Sequence, residues 1–250
     1  TYYYYYDLDV DESTVKRYGK TMPINGSIDK EKNIQFREFS HNGSGAVYQG
    51  KLTSAEKIEG IWQSECGTRN LPFELTESYQ EGSIPFNVYF LKESKPLFRE
   101  QSEPRAELEL TLLLPGAFES PGVSDSVENV IMKNFFSKRL GEGTPLELME
   151  KEKEFYFTHY VSTNTDLYED GNAYNWEKQK SITIHYNESW LLSLESYNYG
   201  FTGGSHGLPV SKYHLIDLID GSNLSLDDIF RPDYKNDLTD VLNAELRKIY

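Results

Sequence analysis

Hydrophobic and polar residues alternate in two different ways along the chain. Up to about Leu97, the apolar segments are short, rich in Tyr, Ile and Phe, and separated by Gly, Asn, Asp or Ser, which is typical of antiparallel strands. Beyond Pro104, strands with a period of two are interspersed with segments of helical period. We therefore predict an all-β module over residues 1–97, a charged, proline-containing linker over residues 98–104 and an α+β domain over residues 105–250.

Glycines flanked by apolar residues two positions away recur three times in the predicted β module, in residues 24–28, 48–52 and 58–62. Because side chains along a strand alternate between its faces, all three members of each triplet lie on one face. The glycine then leaves room for a large neighbour or for a tight bend. We expect a small barrel or a curved sheet. Further strands are expected at residues 2–6, 34–39, 72–75 and 86–91.

The predicted α+β domain begins with a strand over residues 106–114, where apolar residues alternate with polar ones. Apolar residues four positions apart predict a helix over residues 125–140, which Gly141 ends. Residues 144–147, Thr-Pro-Leu-Glu, combine a capping box with a proline at the first helical position, so a second helix begins there and extends to about Tyr160.

The rest of the domain is predicted to complete an antiparallel sheet packed against helices, and the apolar residues of its last helical segments are expected to face inward. The expected elements are a loop at residues 166–176, a hairpin of residues 181–186 and 190–201 around Asn187-Glu188, a strand at residues 212–219, a turn at Asp220-Gly221, and helical segments at residues 224–230 and 237–249.

A glycine-rich segment, Thr202-Gly-Gly-Ser-His-Gly207, closes the strand of residues 190–201. A serine beside a histidine suggests a hydrolase loop, but the nucleophile elbow requires Gly-x-Ser-x-Gly between a strand and a helix, and a strand follows here. We interpret the segment as a turn that needs glycine conformations, or as a binding loop that meets a partner. The candidate ligand-binding residues are Gly203, Gly204, Ser205, His206, Gly207, Tyr197, Tyr199 and Phe201.

The sequence contains no motif for a metal ion or an organic cofactor. His185, His206 and His214 lie on or beside consecutive predicted strands, but no two of them have ligand spacing within one element, and the single cysteine lies in the other predicted domain. Glu107 and Glu109 share a strand face, which we interpret as its solvated side rather than as a glycosidase pair. We assign no metal, no cofactor and no catalytic residue.

Charge narrows the range of partners. The 250 residues carry a formal net charge of −15 at pH 7, a field that repels nucleic acids and anionic lipid surfaces and suits a basic partner. No apolar run has the length of a membrane span. Because the chain begins at Thr1, we expect a processed extracytoplasmic protein of the periplasm or the cell surface. An upstream lipid anchor would be compatible with this expectation.

Several of these segments together resemble a bacterial extracytoplasmic domain family, found in the lysozyme-sensing RsiV-type anti-sigma factors and beside the catalytic domain of some peptidoglycan deacetylases. The resemblance covers about residues 104–250, and Ser205 stands where the family usually has alanine. The preceding part is similar to small β modules that precede this domain in secreted or lipid-anchored proteins of gut-type Gram-negative bacteria. The matching segments are residues 202–207, 213–217, Asp220-Gly221 and Leu224-Ser-Leu-Asp-Asp-Ile-Phe230.

The resemblance implies a non-catalytic binding or sensing module for a lysozyme-like protein or a cell-wall glycan. The chain has neither a sigma-factor-binding segment nor a deacetylase motif, so neither of those activities is carried over. The family also usually continues after its last helix into a further strand, so part of the sheet should lack a partner here. Two alternatives stay open: a cell-wall or ester hydrolase that uses His206 with a nearby carboxylate, and a structural envelope protein whose β module makes the contacts.

Overall fold

The computed structural model describes residues 2–4, 22–29, 31–38, 45–54, 57–169 and 174–249. The chain divides into two compact units, Thr1–Ser78 and Tyr79–Tyr250, and each unit has its own sheet. Strands dominate the first unit and helices accompany strands in the second, which confirms the predicted mixed α+β class. Within the described ranges, none of the helices combines the length and the apolar character that crossing a membrane requires.

The first unit is an antiparallel meander in which strands adjacent in the chain are adjacent in the sheet. The described strands form an open sheet rather than a closed barrel, with β1 and β6 at its two edges. Of the predicted first strand, Tyr5 and Tyr6 lie outside the described residues. The strands are β1 (Tyr2–Tyr4), β2 (Met22–Ile28), β3 (Asn33–Glu38), β4 (Val47–Ser54), β5 (Lys57–Gln63) and β6 (Asn70–Thr76).

The glycine triplets allow close contact between these strands. Gly50 of β4 lies opposite Gly60 of β5, and a Cβ atom added at Gly60 would meet the backbone carbonyl oxygen of Gln49. Five of the six apolar members of the triplets, Ile24, Tyr48, Leu52, Ile58 and Trp62, pack into one cluster with rings from neighbouring strands, as the predicted single-face arrangement requires, whereas Ile28 is 45% exposed. The buried residues of this cluster are Ile24, Ile34, Phe36, Tyr48 and Ile58.

The second unit is a six-stranded sheet in the order β12-β11-β10-β9-β8-β7, with helices between and after its strands. Its pairings are antiparallel except for β8 with β9, which are parallel because the helices between them return the chain to the same end of the sheet. The elements are β7 (Phe86–Pro96), β8 (Arg105–Pro115), α1 (Pro121–Phe135), α2 (Pro145–Glu169), β9 (Trp176–Glu188), β10 (Leu191–Phe201), β11 (Leu208–Asp217), β12 (Asn223–Leu224), α3 (Leu226–Ile229) and α4 (Tyr234–Ile249).

The division between the units falls before β7, whereas the predicted boundary follows it. β7 pairs with β8 along its whole length, from Phe86 opposite Pro115 to Pro96 opposite Arg105. Residues 98–104, the predicted linker, therefore form the loop of this hairpin. Charged residues and prolines are as typical of a hairpin loop as of a linker, so composition alone did not distinguish the two.

The first residues of α2 follow the local sequence signals closely, whereas its end does not. In the predicted capping box, the Thr144 N–H donates to Glu147 Oε2 at 2.8 Å, and the Glu147 N–H donates to Thr144 Oγ1 at 3.4 Å. α2 then continues nine residues beyond the predicted end at Tyr160, into the predicted loop. Asn164 ties this extension down, because its Oδ1 accepts the Tyr174 N–H at 3.1 Å. Residues 170–173 of that loop lie outside the described residues.

The turn between β9 and β10 lies at Ser189-Trp190, two residues later than predicted, with φ of 54° and 61° at these residues. Asn187 remains in β9 because its side chain bonds the Ile84 backbone, donating to the carbonyl oxygen at 2.8 Å and accepting the N–H at 2.9 Å. Trp190 is thus a turn residue rather than the first residue of the strand. The adjoining Leu218 N–H donates to its carbonyl oxygen at 2.8 Å.

Helices α1 and α2 pack on one face of the second sheet, which we name the covered face. Alternate residues of β8, Leu108, Leu110 and Leu112, are buried there against residues of α1 such as Val127 and Ile131. The opposite face, which we name the open face, carries Phe90 and Tyr213 at 61% and 68% exposure. Alternation along each strand therefore separates a packed side from a solvent-facing side.

The last elements depart from the inward-facing prediction. Val241, Leu242 and Leu246 of α4 are 58%, 54% and 52% exposed. β12 pairs only with Leu215 and Ile216 of β11, so no described strand pairs with the outer edge of residues 208–214.

Candidate functional site

The glycine corner, residues 202–207, connects β10 to β11. Gly203 and Gly204 have φ of 106° and 96°, in the region that side chains with a Cβ atom rarely adopt. A Cβ atom at Gly203 would lie 2.9 Å from the ring of Tyr174, and one at Gly207 would collide with the ring of Tyr199. Backbone conformation and close packing thus explain these glycines, in agreement with their interpretation as a turn.

Ser205 and His206 are exposed in the corner. Nδ1 of His206 lies 3.0 Å from the carbonyl oxygen of Gly207, and in the part of the chain that the structure describes this ring has no carboxylate or hydroxyl partner. A general base needs an acid or a nucleophile within hydrogen-bond reach. The geometry therefore does not support a hydrolase that uses His206 with a nearby carboxylate.

Tyr197, Tyr199 and Phe201 share the open face, because they occupy alternate positions of β10. All three are half-buried. Tyr197 lies opposite Ser211 of β11, while Tyr199 packs beneath Gly207 of the corner. The structure thus brings the predicted aromatic residues and the glycine corner together at one end of the open face.

A polar cluster that the sequence pattern did not reveal surrounds Glu195, which precedes Tyr197 by two positions in β10. The pairing of β9 with β10 shifts register between Ser193 and Leu194, and His185 lies at this bulge. Its Nε2 lies 3.1 Å from Oε2 of Glu195. We name this group, His185, Glu195, Ser211 and Tyr213, the Glu195 cluster.

The Glu195 carboxyl group is held ionised at the centre of this cluster. Burial raises its pKa, but hydrogen bonds from the side chains of Ser211, His185 and Tyr213 outweigh that effect, so the pKa of Glu195 lies below the usual glutamate value. The side chain is only 16% exposed, whereas Tyr213 projects into solvent with its ring centroid 5.8 Å from that of His185. A fixed negative charge therefore lies beside an exposed aromatic ring.

Two other carboxylates of the open face, Glu107 and Glu109, have permanently charged partners. Glu109 lies 2.7 Å from Nζ of Lys92, and Glu107 lies 3.3 Å from Nε of Arg105. These pairs are solvent-exposed, and such pairs contribute little stability. They agree with the interpretation of Glu107 and Glu109 as the solvated side of a strand.

The three histidines considered as metal ligands do not converge. His185 lies on the open face, His206 in the corner, and His214 opposite Leu194, whose side chain is buried on the covered face. Burial, followed by the nearby Lys212, lowers the pKa of His214. In the described ranges, no group of three or more His, Cys, Asp or Glu side chains is arranged to hold a metal ion.

A second charged group lies on the covered face, where it has a structural role. Glu152 of α2 is 2% exposed and forms ion pairs with Lys178 and Lys180 of β9, with Nζ of Lys180 3.1 Å from Oε1. Lys180 also donates a hydrogen bond to the carbonyl oxygen of Phe135, the last residue of α1, at 2.7 Å. We name Glu152, Lys178 and Lys180 the buried triad.

The pKa values of the buried triad show how its charges are shared. Burial raises the pKa of Glu152, but Lys180 and Lys178 together overcome that effect and lower it. Burial lowers the pKa of Lys180 more than the attraction of Glu152 raises it. The Glu152 carboxylate is stabilised by two cations, whereas Lys180 shares its one anion with Lys178, so burial dominates the pKa of Lys180 but not that of Glu152.

Comparison with solved structures found similar chains. A crystal structure of a DUF3298 family member from Bacteroides fragilis is 25% identical over 67% of this chain and 69% of its own, with a TM-score of 0.60. This likeness supports a DUF3298-type family. A DUF3298 family protein from Pseudomonas aeruginosa PAO1 is 18% identical over 63% and 62% of the two chains, with a TM-score of 0.43. No protein-family model matches the chain, and a search of curated proteins found no match.

Proposed function

We propose that this DUF3298-type chain is a non-catalytic, extracytoplasmic binding or sensing module, and that its open face and glycine corner bind a basic protein such as a lysozyme. The observation that carries the proposal is the open face itself. Helices α1 and α2 leave it uncovered, and it combines exposed aromatic side chains, Phe90 and Tyr213, with carboxylates. Exposed rings on a rigid support are typical of recognition surfaces.

Charge supports a basic partner over the other classes of macromolecule. The net charge of −15 attracts a cationic protein and accelerates its association, and it repels nucleic acids. The resemblance of residues 202–207 and 224–230 to the lysozyme-sensing domains points to the same kind of partner. The proposed location is the periplasm or the cell surface, where such a partner is encountered.

The glycan and envelope-structure alternatives make different demands on the surface. A cell-wall glycan would use the exposed ring of Tyr213, since sugars stack on aromatic faces, but it would not exploit the negative charge of the chain.

A structural role for the first unit requires an aromatic patch on that unit. Among its residues whose side chains are described, the exposed large hydrophobic side chains are the aliphatic Ile28, Ile61 and Leu71.

Calorimetric titration of the chain with lysozyme, at about 20 mM and about 150 mM salt, tests the proposal. We expect binding that weakens as salt screens the charges. At either salt concentration, Tyr213→Ala should bind lysozyme more weakly than the wild-type chain does. Ile61→Ala, on the first unit, should bind as the wild-type chain does. Absence of binding at both salt concentrations would remove lysozyme as the partner. Binding of soluble peptidoglycan fragments instead would transfer the proposal to a glycan.

A further inference from the structure

We infer that the Glu195 cluster is the docking site for an arginine side chain of the basic partner. This inference rests on the proposed function and specifies which chemical group of the partner is recognised, and where. The cluster offers a fixed carboxylate at its floor and an exposed tyrosine ring at its rim, Glu195 and Tyr213.

Strand alternation separates the cations from this carboxylate. The lysines of β9 and β11, Lys178, Lys180 and Lys212, occupy alternate positions that belong to the covered face. The side chain paired with Glu195 is the imidazole of His185, which is charged only when protonated. Among the described residues, Glu195 therefore has no permanently charged partner on the open face, unlike Glu107 and Glu109.

The carboxylate of Glu195 has capacity for further donors. A carboxylate accepts about four hydrogen bonds. Its hydrogen-bond partner is Nε2 of His185, 3.1 Å from Oε2, while Ser211 and Tyr213 lie beside the group on β11. These neighbours restrict the position of the carboxyl group, so an incoming N–H group finds an acceptor that loses little conformational freedom on binding. Hydrogen bonds between charged groups are the stronger kind.

The flanking rings favour arginine over lysine. Tyr213 lies directly opposite Glu195, and Tyr197 follows it on the same face about 7 Å along the strand. A guanidinium group is planar and weakly hydrated, and it stacks on aromatic rings while its N–H groups bond a carboxylate. An ammonium group is compact and strongly hydrated, so it gains less from the rings.

The first experiment compares two substitutions that each remove one negative charge from the full chain. Glu195→Gln removes the proposed acceptor, and Glu59→Gln removes a carboxylate of the first unit that pairs with Lys57 at 2.6 Å. In titrations with lysozyme, Glu195→Gln should lower the affinity at least about tenfold, and Glu59→Gln should change it less than about twofold. Equal affinities of the two variants would overturn the arginine site while leaving the proposed function intact.

A second measurement tests the site without the protein partner. Nα-acetyl-arginine amide is added to the labelled chain, and the NMR signals of His185, Glu195 and Tyr213 are followed, with the corresponding lysine derivative as the matched probe. We expect shifts in these signals that are larger for arginine than for lysine and absent in Glu195→Gln. If arginine leaves the signals unchanged, or lysine shifts them equally, the inference is wrong whether or not lysozyme binds.

Discussion

The two faces of the second sheet are made from alternate residues of the same strands, yet they differ in how they treat charge. On the covered face, Glu152 is enclosed with two lysines, so its charge is compensated within the protein. On the open face, Glu195 is held ionised by neutral donors and an imidazole. The covered face thus uses charge to fix helices to strands, whereas the open face retains charge that a partner can meet.

The largest effect should come from breaking the buried triad. Glu152→Gln leaves Lys178 and Lys180 without their anion, and removing one member of a buried ion pair costs about 3–5 kcal/mol. Urea denaturation measures the loss in free energy of unfolding. Glu109→Gln, which breaks an exposed pair on the open face, should cost less than about 1 kcal/mol. Similar losses in the two variants would contradict the distinction between the faces.

The carboxyl group of Glu152 should also make the free energy of unfolding sensitive to acid. Because the pKa of Glu152 is lower in the folded chain than the ordinary value of about 4.3, its stabilising contribution is complete above that value. The contribution is lost as the pH falls through the folded-state pKa. Denaturation curves between pH 7 and pH 3 should therefore bring the wild-type chain and Glu152→Gln closer together. Parallel curves would mean that Glu152 is not the titrating group.

Removal of apolar volume should separate the faces nearly as strongly. Leu194 is fully buried on the covered face, and Leu194→Ala should cost about 2–5 kcal/mol through lost burial and the cavity left behind. Phe90→Ala, at an exposed position of the open face, should change the free energy of unfolding by less than about 0.5 kcal/mol. A large destabilisation by Phe90→Ala would show that the open face is packed in solution.

The smallest effect on stability should arise at the glycine corner. Gly203→Ala combines a positive φ with a contact to the Tyr174 ring, and it should cost about 1–3 kcal/mol. Gly200→Ala is the matched control, because a Cβ atom there has open space. Thermal unfolding of the two variants distinguishes them. Equal melting temperatures would indicate that the corner relaxes easily and is not a rigid turn.

Local sequence signals predicted much of the fold because they depend on residues close together in the chain. The alternation of residues 106–114 predicted β8 and its buried side, the capping box predicted the start of α2, and the glycine triplets predicted a shared face in the first unit. The glycine corner was also predicted as a turn, since its φ values are a property of its own residues. Each signal spans a few residues and needs no distant partner.

Tertiary structure alone decided which strands meet and in what register. β7 follows the first unit in sequence but belongs to the second sheet, since its backbone pairs with β8. The Glu195 cluster depends on a bulge in β9 that aligns His185 with Glu195 and on β11, which supplies Ser211 and Tyr213. Alternation specifies which face a side chain takes, but pairing register selects its neighbours, and register is set by packing of the whole sheet. The sequence by itself therefore determined the elements and their faces, and the tertiary structure determined the candidate site.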